Sequence, residues 1–251
     1  VSDVLAYPVL AARAARLSLR TVDALFTALL LPVMIMLLFV YLFGGAIQTG
    51  DTPYVVYALP GVLVLCTAYG ASMTAPAVTS DMTAGIIDRF RSMDVGGRAL
   101  LAGHITAGAV RNLASVVLVV GAALLIGFRG DGGALGWLAA LGVLIAFIVA
   151  LSALSAAVGL LARSVEAAGG FTFAVLFLPY PSSAFVPVET MPGWLRGFAE
   201  HQPCTPVIEA VRALLTGAPA GSAPWIALTW CGGIFTASLA LGSWLFHRRT
   251  R

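Results

Sequence analysis

Ala24 to Phe43 contains no charged side chain, and neither does the longer stretch from Thr52 to Ser80. A helix rises 1.5 Å per residue, so about 20 apolar residues cross a hydrocarbon core of roughly 30 Å. Inside lipid no water reaches the backbone, so a single uncharged run of that length closes its own hydrogen bonds only as a helix. Four further apolar runs follow. Spans are expected over residues 24–43, 54–76, 107–128, 134–162, 167–188 and 223–246, forming one transmembrane domain over 1–251. The expected fold is an all-α membrane protein with six transmembrane helices. Composition agrees: 60% of residues are hydrophobic and only 10% charged, against about 25% charged in a soluble domain.

All fourteen basic residues are arginine. Without lysine the chain has no P-loop phosphate ligand and no Schiff-base amine, so any ATP-derived energy must come from a partner. With both termini cytoplasmic, Arg129, Arg196 and Arg212 lie outside and the other eleven arginines lie inside or at the inner face. The positive-inside rule therefore places both termini inside. Cys66, Cys204 and Cys231 are widely spaced, and two of them sit in apolar runs. They are expected to be small hydrophobic filler, with no disulfide framework.

The N-terminal segment has no compact apolar core ending in a cleavage site, so it is not expected to be a cleavable signal. Arg13, Arg16 and Arg20 form a helical stripe beside Leu10, Ala14 and Leu17. Residues 1–22 are thus expected as an interfacial helix, although a plain positive flank would carry the same arginines. Between spans two and three, residues 81–98 collect Asp81, Asp88, Arg89, Arg91, Asp94 and Arg98. Ile86, Phe90 and Met93 make an apolar ridge at helical spacing, suited either to a partner's groove or to the membrane surface. Residues 189–216 contain Pro192, Pro203, Pro206 and the interfacial type Trp194, with Glu209 one turn from Arg212. A short helical hairpin re-entering the outer leaflet is expected there.

Six spans with these two loops, in this order, resemble the ABC-2 type permeases of ATP-binding-cassette exporters. The likeness is greatest to daunorubicin/doxorubicin-resistance-like permeases of actinobacteria. It is carried by Ser80 to Met93, by Ser183-Ala184-Phe185-Val186-Pro187 through Met191-Pro192-Gly193-Trp194-Leu195, and by Glu209-Ala210-Val211-Arg212. The resemblance implies a coupling helix that docks on the ATPase, formed by Gly85, Ile86, Asp88, Arg89, Phe90 and Arg91. It implies an outer gate shaped by Phe185, Pro187, Trp194 and Pro203. It also implies two P-loop ATPase subunits, and a second permease copy as homodimer or close heterodimer around a pathway near spans one, two and five. ATP and magnesium would sit on the partner, with no cofactor in this chain, and the setting would be a bacterial inner membrane. Asp94 stands where relatives usually carry proline, and His104 where they often carry arginine.

Arg111 falls inside span three, where a charge is a functional candidate by default. Its place near the cytoplasmic end favours snorkelling to the interface. An ion-coupled secondary carrier is the alternative function. Such carriers place ionisable groups in mid-membrane, whereas Asp23, Glu166 and Glu189 lie at span ends and no histidine lies mid-span. An intramembrane enzyme lacks its constellation, because Ser72, Ser152 and Ser155 have no base nearby in the pattern and His104, His201 and His247 lack ligand spacing. Tyr54, Tyr57, Tyr69, Phe171, Phe173, Phe177 and Tyr180 would suit an amphipathic cargo or simply face lipid.

Overall fold

The structure, a computed structural model, describes residues 30, 32–44, 53–84 and 97–249. Among them there are helices and turns and no strand. In chain order these are α1 (Pro32–Leu42), α2 (Tyr54–Ser72), α3 (Thr74–Thr83), α4 (Gly97–Ile126) and α5 (Gly133–Leu161). They continue with α6 (Val165–Phe177), a 3-10 turn (Val188–Thr190), α7 (Gly193–His201), α8 (Cys204–Thr216) and α9 (Ala223–Arg249). Four stretches of the described residues are long and apolar enough to cross a membrane: Tyr54–Thr83, Leu101–Ile126, Gly133–Leu161 and Ala223–Leu245. The expected first and fifth spans correspond to the shorter apolar helices α1 and α6. The expected interfacial helix over 1–22, most of the coupling loop and residues 24–29 lie outside the described residues.

Two expected spans differ from a single straight helix, and proline explains both. The fifth helix ends at Phe177 rather than near residue 188, and the chain runs on in turns. Pro179 and Pro181 remove two N–H donors there and disfavour helical backbone in the residues before them. Span two is broken at Met73 into α2 and α3. Pro76 has no N–H to give the carbonyl of Ser72, four residues earlier, so the hydrogen-bond ladder fails at that point.

α2 and α5 form the centre. α2 is buried almost throughout and packs on α4, α5, α6 and α8. α5 carries the most extensive helix pair, with α9, and also supports α3, α4 and α8. Leu59, Leu63, Val119, Phe147 and Ile208 belong to one continuous apolar core. α4 and α9 turn Val117, Leu125, Trp225 and Trp244 outward, as helices do whose solvent is lipid. At one end of the bundle the α4–α5 turn meets the C-terminus of α8. Gly217 ends α8 with φ +72°, the left-handed conformation glycine adopts without cost, and the Gly132 N–H donates to the Leu215 carbonyl at 3.1 Å.

Candidate functional site

Two polar regions stand out, one at each end of the broken second span. At the α8 end, Pro60 lies within α2 six residues from its start, and Arg212 of α8 donates to the nearby carbonyl of Tyr57. Arg212 donates to it from Nε at 3.4 Å and from Nη2 at 3.3 Å, and Nη2 also donates to the buried carbonyl of Ser183. The guanidinium lies 4.1 Å from the centre of the Tyr57 ring, within cation–π range. The expected i, i+3 neighbour Glu209 is not its hydrogen-bond partner; the fork is spent on backbone of α2 and of the turn after α6. Although Glu209 is exposed, partial desolvation pushes its carboxyl above the ordinary carboxylate range, with Arg212 opposing the shift. A cavity of about 710 Å³ opens here, lined by Tyr57, Arg129, Asp131, Glu209, Arg212 and Thr216.

The turn between α6 and α7 is fastened to its neighbours. The Tyr54 hydroxyl donates to the Phe185 carbonyl at 3.3 Å, and Gln202 Nε2 donates to the Pro181 carbonyl. Phe185 is buried and stacks on Phe39 of α1, with ring centres 3.9 Å apart. From it a ladder of rings runs outward through Tyr180 (5.6 Å), Phe177 (5.7 Å) and Phe173 (4.9 Å). Phe173 and Phe177 are exposed on α6. Of the four expected gate residues, Phe185 ends this ladder and Pro187 opens the 3-10 turn, its carbonyl accepting from the Thr190 N–H at 3.1 Å. Pro203 precedes α8, and Trp194 projects from α7 at 80% exposure. The expected coupling residues Gly85, Ile86, Asp88, Arg89, Phe90 and Arg91 lie outside the described residues.

At the opposite end, the helices that bracket the coupling segment are linked by a polar pair. Asp81 Oδ2 of α3 lies 3.1 Å from His104 Nε2 of α4, both largely buried. Removing one partner leaves the other desolvated, which costs about 1–3 kcal/mol. Asp81→Leu is therefore expected to lower the melting temperature of the purified protein by about 2–12 °C. A combined Asp81→Leu, His104→Leu chain should recover part of that loss in the same thermal scan, because the His104 ring is no longer left buried without its partner.

Arg111 corrects the snorkelling expectation. Its Nη2 turns inward and donates to the Gly70 carbonyl of α2 at 3.1 Å, where the interruption at Met73 leaves carbonyl capacity to fill. Among the described residues no three His, Cys, Asp or Glu side chains are placed to hold a metal ion. Cys66, Cys204 and Cys231 are free and buried.

The family model described as ABC-2 type transporter matches residues 6–216. The chain belongs to the ABC-2 type transporter family. It is 36% identical over 189 residues to the daunorubicin resistance ABC transporter permease protein DrrB1 of Streptomyces coeruleorubidus, covering 75% of this chain and 67% of that protein. It is 24% identical over 208 residues to the probable doxorubicin resistance ABC transporter permease protein DrrC of Mycobacterium tuberculosis, covering 82% of this chain and 75% of the relative. The ABC-2 match ends at the last residue of α8, so it takes in the broken second span, the ladder and the arginine clamp. Members of this family are integral membrane permease subunits that work with a partner ATPase. Sequence reasoning placed Arg212 outside the membrane beside Glu209 and missed the clamp. No local signal pointed to it: the carbonyl that Pro60 leaves without an N–H is that of Val56, not of Tyr57.

Proposed function

We propose that this chain is the permease subunit of an ATP-binding-cassette exporter that moves amphipathic drug, antibiotic or lipid-like substrates out of the cell. The ABC-2 match across residues 6–216 carries this conclusion, and the relatives named for daunorubicin and doxorubicin resistance indicate the substrate class. The membrane topology we propose has six spans, α1 and α6 belonging to the first and fifth. Both termini are cytoplasmic in a bacterial inner membrane, and α7 and α8 form an outer re-entrant hairpin. Two permease copies and two ATPase subunits make the working exporter, with ATP and magnesium on the ATPases. Gly85, Ile86, Asp88, Arg89, Phe90 and Arg91 dock on the ATPase. Phe185, Pro187, Trp194 and Pro203 shape the outer gate. The aromatic ladder from Phe173 to Phe185 supports a wall suited to flat amphipathic cargo.

The test is purification of the tagged chain in mild detergent after expression with its flanking genes. A P-loop ATPase should co-elute in stoichiometric amount and hydrolyse ATP. Phe90→Asp places a charge on the apolar ridge and should abolish co-elution. A chain that stays folded and elutes alone sinks the ATPase-driven function, and co-elution that survives Phe90→Asp sinks the docking assignment.

A further inference from the structure

The break in span two is held differently on its two sides. On the α2 side, two carbonyls near the helix end receive donors from other helices. Arg111 of α4 donates to Gly70, and the Thr172 hydroxyl of α6 donates to Ser72 at 3.2 Å. Thr172 thus fills the place of the N–H that Pro76 lacks. A helix C-terminus carries partial negative charge, which the Arg111 guanidinium complements. Asn112 adds a bond from Nδ2 to the Thr67 carbonyl at 3.4 Å. It also packs so closely on α2 that a Cβ at Gly70 would lie 1.8 Å from its Oδ1. The end of α2 is therefore fixed.

On the α3 side the attachments change. α3 packs mainly on α5 and α6 rather than on α4, and the Thr79 hydroxyl donates to the Gly159 carbonyl at 2.9 Å. At the first turn of α3 and against it on α5, the hydroxyls of Thr74 and Ser152 are buried and have no hydrogen-bond partner. Thr74 and Ser152 both approach the open side of Gly108, at 3.1 and 3.8 Å from where a Cβ would stand. Buried hydroxyls are normally paired. Two unpaired ones at one helix start leave the first turn of α3 without a locked polar arrangement, free to exchange partners as it tilts.

We propose that Met73 is a hinge in span two, with Arg111 and Thr172 as the positioning residues of its fixed side and α3 as its moving arm. α3 leads through Ala84 into the segment that docks on the ATPase in the proposed function, on which this inference rests. It also packs along α6, the helix that carries the exposed rings Phe173 and Phe177. Movement at the ATPase thus reaches the aromatic wall through α3, while α2 and the clamp at its far end stay in place. A continuous second span would carry the displacement along its whole length instead.

The decisive variants are Pro76→Ala, which restores the N–H to Ser72 and removes the ring clash, and Thr172→Val, which removes only the hydroxyl. Arg111→Lys serves as the conservative variant at the second donor. Spin labels are placed at exposed Ser80 on α3 and exposed Val117 on α4; the native cysteines are buried and are left in place. The co-purified permease–ATPase complex is measured in lipid nanodiscs before and after trapping with ADP and vanadate. The wild type should change its inter-label distance by several ångströms on trapping. Pro76→Ala should keep its ATPase and melt no lower than wild type, yet show no change in distance. Thr172→Val should hydrolyse ATP at the wild-type basal rate while its distance change is lost, and Arg111→Lys should retain part of it. A more stable chain that transmits less is an outcome no purely structural role for Pro76 produces. Wild-type distance changes in both Pro76→Ala and Thr172→Val overturn the hinge alone. A wild-type chain that binds no ATPase overturns the proposed function and the hinge with it.

Discussion

Gly61→Val is expected to remove the folded permease from the detergent-soluble fraction. Gly61 lies in α2 against the turn that follows α6. A Cβ there would stand 2.5 Å from the carbonyl oxygen of Ala184 and 2.7 Å from both its Cα and its Cβ. These are backbone or backbone-fixed atoms, so no rotamer change relieves the clash. The turn must move off α2, and three attachments go with it: the Tyr54 hydrogen bond to Phe185, the Phe39–Phe185 stack and the Arg212 bond to Ser183. Overpacking alone costs about 1–3 kcal/mol, and each buried carbonyl left without a donor adds about 1–3 kcal/mol. Against a total stability of about 5–15 kcal/mol, that is enough to lose the native state. Gly121→Ala is the control, because nothing lies within 4 Å of its Cβ position in the C-terminal part of α4. It should be neutral or gain up to about 1 kcal/mol from helix propensity. Fluorescence-detected size exclusion with a thermal ramp reads both. A Gly61→Val chain that elutes and melts like wild type would show that the turn does not rest on α2.

Much of this architecture is legible in the sequence because a bilayer permits so few solutions. Uncharged runs of sufficient length must be helices, and α4, α5 and α9 each hold one of the long apolar runs for that reason, although α4 begins ten residues before the expected 107. The two proline-driven departures were less legible. Pro76 sits inside an uncharged run that hydropathy reads as continuous, and only the geometry shows that the helix restarts at Thr74. The fate of the arginines was least legible. Arg111 and Arg212 both look interfacial by position, yet both turn inward onto carbonyls of α2. Hydropathy prices a charge against lipid, whereas the competing partner here is a backbone carbonyl of a neighbouring helix. That competition depends on which helices are neighbours, which a linear pattern does not encode. The gate residues divide in the same way. Phe185 could be singled out by its motif, but its stacking on Phe39, far away in sequence, could not.

The arginine clamp gives the second large effect. Arg212→Met keeps most of the side-chain volume and removes the fork, so the Ser183 carbonyl loses its donor and the Tyr57 carbonyl loses a bond beyond its place in the helix. Ser183 is buried and Tyr57 half-buried. The Ser183 carbonyl left unpaired costs about 1–3 kcal/mol, and the lost cation–π contact adds roughly 0.5–2 kcal/mol. A net destabilisation of about 3 kcal/mol is expected, equivalent to a fall in melting temperature of about 6–12 °C for a chain of this size. Arg212→Lys should recover less than half of it. An ammonium is a compact point charge and does not reproduce a planar fork that reaches Tyr57 through both Nε and Nη2 and Ser183 through Nη2. Glu209→Gln separates this clamp from an ordinary ion pair. If Arg212 worked through Glu209, neutralising the carboxylate would cost nearly as much as removing the arginine. Because the fork is spent on backbone instead, Glu209→Gln should leave the melting temperature within about 2 °C of wild type, as surface substitutions do. Thermal unfolding of the three variants side by side decides it. Equal losses in Arg212→Met and Glu209→Gln would replace the clamp with a salt bridge, and an unchanged Arg212→Met would show that α8 is held to α2 by its apolar face alone.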